Sequence, residues 1–450
     1  MTNALLAVHD DALAELLSPV EHALSTAQKL GATQAEAGVS LDTGLSTSVR
    51  FGEVETLEHH RDRGLVVTVY RGQRKGSASS ADTSADAVQA AVEKACSIAR
   101  FTAEDPCAGL APAERMATSL PDLNLHHRWD ISTDTMIDLA SRCEEAARRV
   151  DARIDNSEGA SVNTHERRRV YGNTHGLLAG YTSSYHSMSC SVIARDGDGM
   201  QRDYWYTSAR DPDDLDTPEQ VGRTAGERTV ARLGATKLST REAPVVFVPA
   251  LARGLVGHLL GALRGAAQYR RSSFLLDAEG EQVLPEFMTL SEHPHILKGV
   301  GSTGMDAEGV ATVERDLVRD GVIQGYILGS YSARKLGRET TANAGGVHNV
   351  LVSGQDGINE QSLVAGLDRG LLVTELLGQS INPTTGDYSR GAAGFWVENG
   401  KRVQPVHEIT IAGNLRDMYR GLVAVGDDAD IQSNIRCGAM LLDSMTIAGN

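Results

Sequence analysis

The hydrophobic and polar positions alternate between two periods along this chain. Residues 11–30 carry apolar side chains at helical spacing, with Ser18-Pro19 as the expected interruption. From Glu36 to Arg50 and again over Leu65–Tyr70 the spacing changes to period two, with β-branched residues, and Gly52 and Gly64 are expected to mark turns. Arg71–Ser80 reads as a basic, glycine-containing hairpin or loop. Ser84–Phe101 returns to helical spacing, with Ala87, Val88, Ala91, Val92, Ala95 and Ile98 as its stripe. A linker holding Pro112 and Pro121 leads to a helix over Thr133–Val150. Strand signals then run from Ile154 to Thr207 between glycine and asparagine turns, predicting an antiparallel meander of three or four strands. A helix over Pro218–Leu233 closes that part. Beyond it the pattern predicts a short buried strand at PVVFVP, one helix over Ala250–Ala267, and mainly short strands from Leu276 onward. Those strands suggest a closed or nearly closed β structure.

Helices stand between runs of strands instead of alternating with them, so the expected fold class is α+β. The expected division is an N-terminal α+β unit over 1–110, a second α+β unit with the meander over 120–236, and a β-rich, barrel-like domain over 240–450. A chain of 450 residues is long enough for two or three cores.

Charge narrows the function classes. With 59 acidic against 43 basic residues the net charge is −16, which disfavours direct nucleic-acid binding. No basic leader begins the sequence, and no apolar stretch reaches membrane-spanning length. The five cysteines, Cys96, Cys107, Cys143, Cys190 and Cys437, are odd in number and scattered, so neither a disulfide framework nor a zinc ribbon is indicated. A cytoplasmic protein without membrane contact is the expectation.

Most short motifs fail for lack of context. Gly299–Gly304 matches G-x-G-x-x-G, but no strand precedes it and no helix follows, so it reads as a turn. His165-Glu166 and His407-Glu408 lack the second histidine of a zinc helix and read as surface pairs. His126-His127, His293 and His295 read as loop residues. No residue stands out as catalytic, and no cofactor-binding motif is present.

Several segments together carry a resemblance. They are RKGSASS (Arg74–Ser80), YGNTHG (Tyr171–Gly176), SFLLD (Ser273–Asp277), HPHILKG (His293–Gly299), SYSARKLG (Ser330–Gly337), AGGVHN (Ala344–Asn349), GDYSRGAAGFWVENG (Gly386–Gly400) and EITIAGNL (Glu408–Leu415). By these the chain resembles the TldD/PmbA family, in its TldE (PmbA) branch. The resemblance implies a heteromeric metallopeptidase whose TldD-type subunit holds zinc through H-E-x-x-x-H on a helix plus a C-terminal cysteine. At the matching positions this chain has Arg253 for the first histidine and Gly254 for the glutamate. It keeps His258 as the second histidine and Cys437 as the cysteine. The resemblance thus implies that His258 and Cys437 are remnants of a degenerate site, with no cofactor bound by this chain and zinc in the partner subunit. It implies a TldD-type partner and extended peptide substrates, and leaves open a homodimer of the isolated chain. Two other readings stand beside it. One is a self-sufficient homomeric peptidase drawing on His258, Cys437 and a further ligand such as His295 or His348. The other is a regulator without peptidase activity, acting on DNA gyrase or on a toxin–antitoxin pair.

Overall fold

A computed structural model describes residues 4–6 and 11–449. The start of the chain, on which the absence of a leader was read, lies partly outside the described residues. The first half is built on one large sheet. Its strands run Arg74–Ser80, Glu53–Arg71, Gln34–Arg50, Asn156–Asn173 and Leu178–Asp196 in spatial order, all antiparallel. Gly199–Ala209 and the short parallel strand Leu5–Leu6 share the outer edge of Leu178–Asp196. Strands expected in two separate units therefore lie side by side in a single sheet.

Four helices cover one face of it. Leu17–Lys29 and Ala85–Phe101 pack over Ala37, Val39, Leu65, Val67 and Val170. Thr133–Arg148 and Pro218–Ala231 pack over Val49, Val162, Met188 and Val192. Each follows from its sequence. Pro19 falls in the first turn of Leu17–Lys29, where a missing N–H costs nothing, so the break comes before it and not at it. Thr217 and Gln220 form a capping box at the start of Pro218–Ala231. On Ala85–Phe101 the buried stripe runs through Cys96 and Ala99, while Ile98 faces solvent.

The expected turn at Gly64 is corrected. Gly64 pairs with Ser40 in mid-strand, and the hairpin turns at Phe51-Gly52, both with positive φ. Two consecutive left-handed residues match the twist of a tight hairpin, which a lone mid-strand glycine cannot supply.

The second half holds a closed five-stranded barrel. Lys401–Asn414, Asp387–Glu398, Arg369–Ile381, Arg241–Phe247 and Met440–Ala448 follow one another, and Met440–Ala448 pairs back to Lys401–Asn414 through Ile411↔Ile447. One face of these strands, with Val245, Phe247, Val373, Ile411 and Met440, shares a core with the helix Pro249–Leu263. The other face, with Val246 and Leu372, packs on the short helix Glu360–Ala365. A small sheet around Leu290–Glu292 and Val350–Val352 packs Leu290 and Val350 into the barrel's core. The single helix expected over Ala250–Ala267 is corrected to two. Arg264 turns to an extended backbone (ψ 135°) and bridges to Ile327, and Gly265–Tyr269 continues as a separate turn of helix. No described helix is long and apolar enough to cross a membrane.

Candidate functional site

The helix Pro249–Leu263 begins directly after the barrel strand, with Pro249 in its first turn, and so projects Arg253, Gly254 and His258 from a fixed origin. The Arg253 guanidinium reaches the loop that precedes Cys437. Its Nη1 donates to Asp430 Oδ2 at 2.8 Å and its Nη2 to Tyr206 Oη at 3.4 Å. The Asp430 backbone N–H donates in turn to the Cys437 carbonyl at 3.3 Å. Space around Gly254 is open, and no carboxylate stands there. His258 lies edge-on to Tyr388, ring centroids 6.1 Å apart. Burial, then the nearby Arg390 charge, lower its pKa, so its imidazole is neutral at pH 7. Cys437 is fully buried, and its Sγ donates to the Gly438 carbonyl at 3.2 Å. Burial first and Asp428 second push this thiol far above the usual cysteine range, so it stays protonated.

A zinc site needs about three protein ligands, with cysteine as thiolate. Among the described residues no three His, Cys, Asp or Glu side chains come together in such a group. His295 bonds to Thr312 Oγ1 at 3.0 Å and His348 to the Ala342 carbonyl at 3.0 Å, each held in its own loop region. His293 bonds to Ser291 and faces Glu314.

The bare face of the large sheet, opposite the four helices, meets loops of the second half around a cavity of about 590 Å³. Its floor carries His165, Arg167 and Arg169 beside Tyr181 and Tyr185, and its roof is formed by residues 300–307 and 344–348. Sequence reasoning missed this site. The one sequence trace of it is the run of polar and aromatic side chains at 165/167/169, which pair with 185/183/181. Gly299–Gly304 is indeed a turn, and it closes the roof because Arg210 donates to the Gly299 and Val300 carbonyls. His165, expected at the surface, is half buried, with its Nδ1 3.1 Å from His60 Nε2. His127 is likewise tied down, 3.1 Å from Asp211.

Asp306 anchors the roof. It is buried and accepts backbone N–H bonds from Glu308, Val310 and Ala344. Burial nevertheless raises its pKa from 3.8 to about 6. The folded chain therefore holds a proton here that the unfolded chain has lost, and stability falls as pH rises between about 4 and about 6. Asp306→Asn is expected to remove this component, on the order of 2 kcal/mol. Urea midpoints of both proteins at pH 4 and pH 7 check it, and parallel pH slopes would refute the assignment.

A helix-covered antiparallel sheet followed by a closed five-stranded barrel is the architecture that the comparisons with known proteins match. Family models for the PmbA/TldA metallopeptidase match in order. Domain 1 covers residues 35–99, the central domain 126–233 and the C-terminal domain 240–449. The chain belongs to the PmbA/TldD metallopeptidase family, in its PmbA (TldE) branch. It is 51% identical over 433 residues to the metalloprotease PmbA of Escherichia coli O157:H7, covering 96% of each chain. A crystal structure from Bacteroides thetaiotaomicron, put forward as a modulator of DNA gyrase, superposes with a TM-score of 0.91 at 29% identity, covering 96% of this chain and 98% of that one. TldE from Thermococcus kodakarensis shares the fold, with a TM-score of 0.84 at 22% identity over 96% of this chain and all of that one (100%).

Proposed function

We propose that this chain is the subunit without a metal of its own in a heteromeric zinc metallopeptidase that cleaves unfolded or extended peptides. The observation that carries this reading is the Arg253–Asp430 ion pair. A fixed guanidinium occupies the helix position that matches the first zinc histidine of the family pattern, and Asp430 holds it there at 2.8 Å. A permanent positive charge repels a dication. Gly254 leaves no carboxylate to activate water. The same facts weigh against a self-sufficient peptidase.

The chain's own contribution is then to complete the enclosure and hold the peptide. Arg74–Ser80 ends the large sheet with one edge unpaired among the described strands, which suits an added peptide strand. In the cell we place the complex in the cytoplasm.

The test is metal content and cleavage of an unstructured peptide, for the purified chain alone and mixed with a TldD-type partner. The expected result is substoichiometric zinc and no cleavage alone, with cleavage in the mixture. One zinc per chain together with activity alone would overturn the reading.

A further inference from the structure

The cavity beneath residues 300–307 and 344–348 is lined by none of Arg253, Gly254, His258 and Cys437, and has an unusual charge balance for so acidic a chain. Three arginines, Arg167, Arg169 and Arg210, line it against two acids, Asp42 and Asp306. Asp42 is spent on Arg167, through a short ion pair. Asp306 is turned to three backbone N–H groups. Two guanidinium groups thus remain without a carboxylate among the described residues.

Their donors are also in surplus. Arg210 gives three N–H bonds to the Ser184, Gly299 and Val300 carbonyls, at 3.0, 3.1 and 2.8 Å. A guanidinium has about five N–H groups, so roughly two are left over. Partial burial lowers the pKa of Arg210, as expected for a cation taken from water without a counter-ion. Arg169 lines the same space with no hydrogen bond or ion pair among the described residues. It sits opposite Tyr181 in the strand register, and Tyr185 follows on the same face. Holding such charges partly buried and unpaired is costly, and an anion in the cavity would offset that cost.

We propose that this cavity is a carboxylate-binding site, with Arg169 and Arg210 as partners of the anion and Tyr181 and Tyr185 as walls for the group that bears it. A planar carboxylate matches the forked N–H geometry of a guanidinium. The charge balance favours a monoanion over a dianionic phosphate, because Asp306 lies in the same roof and repels a second negative charge. Val300, Met305 and Val347 add an apolar lining, which suits an acid carrying an apolar side chain. The volume is that of an ordinary small-ligand pocket. The carboxylate has two candidate sources, the C-terminal end of a peptide or a free small acid. The peptide source rests on the peptidase reading, while the carboxylate assignment does not.

Calorimetric titration of the full chain tests this, with no zinc and no partner required. The probes are acetyl-Gly-Ala-Leu, its C-terminal amide, acetyl-leucine and inorganic phosphate. The acid tripeptide is expected to bind at least about tenfold more tightly than the amide, a difference of about 1.4 kcal/mol. Arg169→Gln is expected to lose that preference. Because Arg169 makes no contact that holds the fold, the variant should unfold at the parent's temperature, and Arg169→Lys should restore part of the binding. Acetyl-leucine binding as tightly as the tripeptide assigns the site to small acids, and weaker binding assigns it to peptide ends. Equal binding of acid and amide, no binding of either acid, preference for phosphate, or an unchanged Arg169→Gln would each overturn the proposal. Carboxylate binding without cleavage in the mixed complex would sink the peptidase reading alone.

Discussion

Phe247→Ala is expected to cost about 3–5 kcal/mol of unfolding free energy, appearing in the transition of the C-terminal barrel. Phe247 is fully buried at the end of the barrel strand Arg241–Phe247. That strand lies between Arg369–Ile381 and Met440–Ala448, and Phe247 stands in register with Val373 on one side and Met440 on the other. Its ring belongs to the core shared by the barrel strands and the helix Pro249–Leu263. Truncation to alanine removes the transfer free energy of the ring and leaves a cavity that a closed barrel cannot collapse to fill. Because Pro249 follows two residues later, the loss also loosens the origin of the helix that carries Arg253 and His258. Phe247→Leu, which keeps most of the volume, is expected to cost about 1.5 kcal/mol or less. Guanidinium denaturation with a barrel-domain probe measures both. A cost for the alanine variant no greater than for the leucine variant would show that this ring does not support the barrel.

Much of this architecture was legible where local chemistry decides it. The helical stripe of Val88, Ala91, Val92 and Ala95 became the buried face of Ala85–Phe101. The antiparallel meander expected over 154–207 became the strands Asn156–Asn173, Leu178–Asp196 and Gly199–Ala209. Legibility failed where a distant partner decides. Gly64 looks like a turn by composition, but the hairpin partner in register across 34–50 holds it in a strand. The helix break at Arg264 depends on Ile327, far along the chain, and no local signal announces it. The closed β structure expected from the short C-terminal strands is present, but which strands close it, through Ile411 and Ile447, is a non-local pairing that the sequence does not announce.

The candidate site divides in the same way. The positions of Arg253, Gly254, His258 and Cys437 were visible by resemblance, but their chemistry was not. That Cys437 is buried and protonated depends on packing. That Arg253 is paired depends on Asp430, 177 residues away. The strand positions 165, 167 and 169 could be read from the sequence, but not the cavity, since its floor and roof come from opposite halves of the chain.

The Arg253–Asp430 pair also ties the start of the helix to the loop before Cys437. In a metal site the cation ties helix and loop together through its ligands. Here a side-chain cation on the helix bonds a carboxylate in the loop before Cys437, so the tie is made by the protein itself. Arg253→Glu would set two carboxylates against each other in a site where the native side chains are only 29% and 14% exposed. The expected cost is about 2–3 kcal/mol, below that of a fully buried pair because solvent still reaches the arginine. The damage should be local, with residues 427–436 becoming protease-sensitive before the barrel unfolds. Arg253→Glu combined with Asp430→Arg restores opposite charges and is expected to recover most of the loss, a coupling that a double-mutant cycle isolates. Limited proteolysis and denaturant midpoints of the two single variants and the swap decide it. If the swap behaves as the sum of the single variants, Arg253 and Asp430 are not partners that hold this loop, and the tie between helix and Cys437 lies elsewhere.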